Sequence, residues 1–109
     1  MKRCLVCKET EGVTRDHVVP RLVLRMVLER ETYADFCSVV RKGNIQPFCG
    51  YCNNYKATRV VDLRDDETQA RLLNHLFDYG IYDAIVFEDP DEYIKEALDA
   101  KRRDDTLSA

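Results

Sequence analysis

The chain has 109 residues, 45% hydrophobic and 34% charged, with a formal net charge of −3. That length suits one globular domain with a modest core and excludes a second module with a core of its own. No apolar run approaches the ~20 residues needed to span a bilayer, and Met1-Lys2-Arg3-Cys4 leads into no signal-peptide core, so the expectation is an intracellular, cytoplasmic protein with no membrane partner.

The charge is unevenly placed. Residues 1–62 carry 11 Lys+Arg and 7 Asp+Glu, a balance of +4, whereas residues 63–109 carry 6 and 13, a balance of −7. The first part is suited to face a polyanion and the second is not. In a reducing compartment, Cys4-x-x-Cys7 and Cys49-x-x-Cys52 read as metal ligands rather than disulfides. The fifth cysteine, Cys37, reads as a small buried apolar residue.

In chain order, Cys4 to Lys8 forms a compact turn of the zinc-knuckle kind, and Gly12 punctuates it. The β-branched run Val13 to Val19 predicts a strand ended by Pro20, with Asp16 and His17 near its end. Arg21 to Arg30 has a helical period, with apolar residues at 22, 23, 26 and 27. Glu31 to Gly43 is ambiguous, and Lys42-Gly43-Asn44 is a turn or a helix stop. Ile45 to Phe48 predicts a second short strand, which Pro47 restricts to an edge or to pairing with the first strand alone. Cys49-Gly50-Tyr51-Cys52 repeats the knuckle, and residues 53–59 can wind into a helix with Asn53 and Lys56 on one face.

The remainder reads as acidic and mainly helical. Asp65 or Asp66 caps a helix through Ala70, Leu73, Leu76 and Phe77 to Tyr79, with Gly80 past its end. Ile81 to Phe87 is either a strand or a buried turn of helix. Asp89-Pro90 is an N-cap and first-turn signature for a last helix with Tyr93, Ile94, Ala97 and Leu98 on one stripe, and residues 101–109 are expected to fray.

Four thiolates satisfy a tetrahedral zinc ion and leave no open position, so Cys4, Cys7, Cys49 and Cys52 predict a structural zinc site. Asp16 and Asn53 offer oxygen ligands suited to a hard ion such as Mg²⁺. His17 beside that carboxylate is a candidate general base. Lys56, Arg59, Arg15 and Arg21 are either candidate contacts to backbone phosphates or a solvated basic face. His75, in the acidic helix beside apolar Leu76 and Phe77, reads as structural.

Taken together, Cys-x-x-Cys, then Asp16-His17-Val18-Val19-Pro20, then Asn44-Ile45-Gln46-Pro47-Phe48-Cys49-x-x-Cys52-Asn53-x-x-Lys56, resembles the zinc-containing HNH endonucleases of the ββα-metal fold. The resemblance covers Cys4 to about Arg59. It implies an α+β fold in which residues 1–62 form a zinc-stapled ββα-metal unit. Residues 63–109 then form a helical extension, packed on that unit or mediating dimerisation. It implies DNA as partner, a catalytic Mg²⁺ or Mn²⁺, and hydrolysis leaving 5′-phosphate and 3′-hydroxyl ends. In that scheme His17 is the general base, Asp16 is a ligand of the catalytic ion, and Asn44 holds the hairpin loop and helps orient the base. Asn53 stands where the motif's last His usually lies, as the second metal ligand, with Asn54 the competing candidate. The segment between Pro20 and Asn44 is longer than the glycine-bearing loop usual in the family. The alternative is a non-catalytic zinc-binding adaptor that keeps the fold and binds a protein partner, or a second copy, through the stripe of Asp91 to Arg103.

Overall fold

In the computed structural model, which describes residues 2–108 apart from the side chains of 106–108, strands β1 (Val13–His17) and β2 (Ile45–Cys49) pair antiparallel. Val13 lies opposite Cys49, Asp16 opposite Gln46 and His17 opposite Ile45. β1 stops two residues earlier than expected. Val18 and Val19 leave the ladder because both are fully buried in the core, and their N–H groups donate to Asn44 instead, one to its backbone oxygen and one to its Oδ1. Pro47 is tolerated because the sheet has two strands, and its carbonyl accepts from Leu5 N at 3.0 Å, which ties the first knuckle to the edge of β2.

The helix expected over 21–30 is α1 (Arg21–Val27), which ends three residues early, and a second helix, α2 (Arg30–Val40), follows it. Leu28 (φ −115°, ψ 140°) and Glu29 (φ −65°, ψ 157°) are extended and break the helix between them. Half of the expected apolar stripe holds, since Val23 and Val27 pack on the core, but Leu22 and Met26 are 55% and 77% exposed, whereas Leu24 and Leu28 are buried. Residues 22–28 are apolar apart from Arg25, so several stripes satisfy a helical period, and packing against Phe36 and Val40 selects the one that is buried. Cys37 is exposed, not buried. α2 buries Phe36 and Val40, four residues apart, and the next position along a helix turns about 100° away from that stripe. The ambiguous stretch after Glu31 is helical to Val40 and then forms a 3₁₀ turn over Arg41–Asn44.

Helix α3 (Gly50–Lys56) begins three residues earlier than expected, because Cys49 acts as its N-cap and its Sγ accepts from Cys52 N at 3.5 Å. Helix α4 (Asp66–Asp78) follows the capping pattern, with Asp65 Oδ1 accepting from Thr68 N at 2.8 Å and Gly80 at φ 70° beyond its end. It buries Leu72 and Leu76, while Phe77 is 59% exposed and stacks on Tyr82. Ile81 to Phe87 takes the helical one of its two expected forms. It forms a 3₁₀ turn at Tyr82–Ala84 that buries Ile81 and Ile85 on either side.

Helix α5 (Pro90–Ser108) starts where Asp89 Oδ1 accepts from the N–H groups of Asp91 and Glu92 at 2.9 and 3.1 Å. It continues to Ser108 through residues expected to fray, and Ala109 lies outside the described residues. Lys101 Nζ reaches Cys7 Sγ at 3.2 Å and Tyr51 donates to Asp104, so these turns rest on the knuckles.

Two apolar clusters hold these elements. One joins Val18, Val19, Leu24, Phe36 and Val40 to Leu72, Leu76, Ile81 and Ile85. The other joins Cys4, Val6, Phe48, Cys49 and Cys52 to Val61, Tyr93 and Ala97. Both clusters take residues from both sides of position 62, so the acidic helices complete the core around the hairpin. No helix among the described residues is long and apolar enough to cross a membrane. Leu24→Ala should lower the unfolding free energy by about 2–5 kcal/mol in urea titrations, and Met26→Ala by no more than about 0.5 kcal/mol.

Candidate functional site

The sulphurs of Cys4, Cys7, Cys49 and Cys52 lie within 4.8 Å of one another. The first pair sits in a turn closed by Lys8 N donating to Cys4 O at 3.0 Å, with Lys8 at φ 68°. The second pair spans the end of β2 and the first turn of α3. Sγ of Cys7 and Sγ of Cys49 are 3.6 Å apart, against an edge of ~3.8 Å for a tetrahedron with Zn–S bonds of ~2.3 Å. Cys4, Cys49 and Cys52 are buried and Cys7 is half-buried. A hydrogen bond from Cys52 lowers the Cys4 thiol to about 4, against the opposing effect of burial. The same hydrogen bond, reinforced by burial, pushes the Cys52 thiol up. Burial likewise raises Cys49. Sulphurs this close resist joint ionisation unless a cation offsets the charge, and soft thiolate donors in a tetrahedral set suit zinc. The cluster therefore fits a zinc ion in number, spacing and chemistry.

A second feature lies between β1 and α3. Asp16, His17, Pro20, Arg21, Asn53 and Ala57 line an open depression of about 370 Å³. Asp16 is 3% exposed. Its Oδ2 accepts from Gln46 Nε2 at 2.9 Å and faces Lys56 Nζ at 3.3 Å. Lys56 is wholly buried and also donates to His17 O at 2.7 Å. Burial pushes the Asp16 carboxyl up and the Lys56 ammonium down, and their mutual attraction opposes both shifts. His17 is half-buried, and its Nε2 accepts from Arg21 Nε at 3.3 Å. Burial first, then the positive charges of Arg21 and Lys56, hold the imidazole below its ordinary value of 6.5. The ring is therefore neutral at pH 7, with a lone pair on Nε2.

Asn53 is half-buried, and its Nδ2 donates to Thr14 Oγ1 at 2.8 Å, which leaves its amide oxygen as the acceptor end. Of the two neighbouring asparagines, Asn53 lines the depression and Asn54 is exposed. Asn44 is buried and clamps residue 19: its Oδ1 accepts from Val19 N and its Nδ2 donates to Val19 O, both at 2.9 Å. Two of the four candidate phosphate contacts are corrected. Lys56 is buried against Asp16, and Arg59 forks onto Glu88 at 2.8 and 2.6 Å and reaches Glu96 at 2.5 Å, lying over the Tyr55 and Tyr93 rings. Both cations are committed to carboxylates of the chain itself. Arg15 and Arg21 are exposed.

Sequence reasoning missed Gln46, which is wholly buried and holds Asp16, Val61 O and Leu63 N at once. The available signal was a lone amide in an otherwise apolar strand, facing Asp16 in the antiparallel register. It also missed Thr14, whose hydroxyl accepts from Asn53 while donating to Phe48 O at 2.8 Å. Comparison with family models, with curated proteins and with solved structures returned no match to this chain.

A proton titration of His17 by NMR should give a midpoint below 6.5, and Arg21→Gln should raise it. As pH falls, the unfolded chain takes up this proton before the folded chain does. Stability contributed by His17 therefore declines on acidification through and below about 6.5 and rises as pH is raised through that window.

Proposed function

We propose that the protein is a zinc-stapled endonuclease of the HNH type, which hydrolyses DNA phosphodiester bonds at the depression lined by Asp16, His17 and Asn53. The observation that carries this reading is the convergence of those three side chains, one from β1, one from its end and one from α3, on one open surface. In this reading Cys4, Cys7, Cys49 and Cys52 hold a structural zinc that fixes α3, and hence Asn53, against β1.

The chemistry is assigned to the chain's own groups as follows. A water at His17 attacks phosphorus, the new bond forms between the water oxygen and phosphorus, the bond to the 3′ oxygen breaks, and the departing 3′ oxygen takes a proton from solvent water. Neutral His17 takes the water proton at Nε2. Arg21 shares that nitrogen in the free protein, so an incoming phosphate draws the guanidinium away and exposes the lone pair at the moment it is needed. Asp16 and Asn53, a carboxylate and an amide oxygen, form a donor set suited to Mg²⁺ or Mn²⁺. Such an ion would supply charge stabilisation on the phosphate and the departing oxygen. Asn44 keeps His17 in place by holding the two residues that follow it. Arg15 and Arg21 position the strand.

One observation favours a second reading, a non-catalytic adaptor that keeps this fold and binds a protein through its acidic helices. Asp16 Oδ2 is already engaged by Gln46 and Lys56. A divalent ion at Asp16 must compete with that ammonium.

Zinc-loaded protein with Mg²⁺ or Mn²⁺ should nick supercoiled plasmid, and His17→Ala should slow nicking by about 100-fold or more. Nicking that is absent with every divalent ion, or unchanged in His17→Ala, contradicts the nuclease reading. Mn²⁺ binding followed by electron paramagnetic resonance should be lost in Asp16→Ala. If the wild type binds no Mn²⁺, the adaptor reading replaces it.

A further inference from the structure

The hydrolytic depression has a neighbour. His17 and Arg21 form one border of a separate cleft of about 330 Å³ between α1, α2 and the 3₁₀ turn that follows α2. Its apolar lining is buried Leu24, Phe36 and Val40, with half-buried Tyr33 beside them. Two exposed guanidinium groups, Arg21 and Arg41, border it, and none of the described lining residues is acidic. The long segment between Pro20 and Asn44 builds nearly all of this cleft.

Those properties select a ligand class. The apolar lining is a poor bed for a phosphate or a metal ion, and the cations disfavour a cationic ligand. A flat π-system joined to an anionic backbone suits both parts, because bases stack on aromatic side chains and on guanidinium planes in a sequence-tolerant way. The volume lies at the small end of ligand sites, room for one base and not for a stack. A base still stacked in a duplex cannot enter a concave site of this kind.

We propose that this cleft receives the unstacked base of the nucleotide adjoining the phosphate at His17, so that the substrate class is single-stranded or locally unpaired DNA. The placement beside a scissile phosphate rests on the nuclease reading above; the base site itself does not. Arg21, common to both surfaces, contacts the phosphate between the reacting group and the lodged base, and Arg41 contacts the backbone on the other side.

Cys37 supplies a reporter, since it is exposed and lines the same cleft. Zinc-loaded full-length protein is treated with limiting iodoacetamide, and alkylation of the Cys37 peptide is followed by mass spectrometry. A deoxyadenosine tetranucleotide should slow that alkylation by about fivefold or more. An abasic strand of equal length and a duplex should slow it by less than about twofold, and free dAMP should need a higher concentration than the tetranucleotide. Arg41→Glu should reduce the protection by the tetranucleotide to less than about twofold. Equal protection by the abasic strand or the duplex, protection by dAMP alone, or full protection in Arg41→Glu would overturn the proposal. None of these arms requires cleavage. Protection without cleavage of either plasmid or a longer single strand leaves the base site standing and removes the nuclease reading, whereas cleavage without protection removes the base site.

Discussion

Four sulphurs drawn from the two chain segments at the open end of the hairpin meet at one point, and the position of nearly every other functional group depends on that meeting. Cys4 and Cys7 are held by a short turn against the edge of β2, through the hydrogen bond from Leu5 to Pro47. Cys49 ends β2 and caps α3, and Cys52 lies in the first turn of that helix. Fixing these four atoms fixes the direction in which α3 leaves the sheet. The residue after Cys52 is then Asn53, on the surface beside β1, and three residues further on Lys56 runs inward beneath Asp16. A chain of this size has a small core, and a metal ion held by these four sulphurs would supply constraint that apolar burial alone does not.

The buried polar group at Asp16 carries that constraint into the rest of the molecule. Removing a carboxylate and an ammonium from water is costly, and the pair is sustained by further hydrogen bonds, Gln46 on the carboxylate and His17 O on the ammonium. Gln46 also binds Val61 O and Leu63 N, which orients the segment leading into α4. Two residues before Val61, Arg59 forks onto Glu88 and Glu96 and so ties that segment to α5. The acidic second part of the chain is therefore joined to the hairpin by a continuous polar chain as well as by two shared apolar clusters. Two of its carboxylates, Glu88 and Glu96, are engaged by Arg59, one of the cations that the sequence offered as a phosphate contact.

The parts legible in the sequence were those fixed by local chemistry. The two Cys-x-x-Cys spacings, the Asp65 and Asp89 caps, and the proline that limits β2 to one partner all act within a few residues, and the structure bears them out. The parts that were not legible depend on partners distant in sequence. Residues 22–28 are so uniformly apolar that only packing on Phe36 and Val40 decides that Leu24 and Leu28 are buried and Met26 is not. Cys37 is turned outward by the same choice of stripe. Lys56 and Arg59 look like solvated cations until Asp16, Glu88 and Glu96 arrive from 29 to 40 residues away. The last turns of α5 have no sequence signal for order, because Tyr51 and Cys7, which they meet, lie far upstream.

The measurement that tests this account most directly is zinc K-edge X-ray absorption on the purified protein, with the metal content determined on the same sample. The account predicts one zinc per chain surrounded by four sulphurs at ~2.3 Å. Substoichiometric zinc, or a first shell containing nitrogen or oxygen, would contradict it.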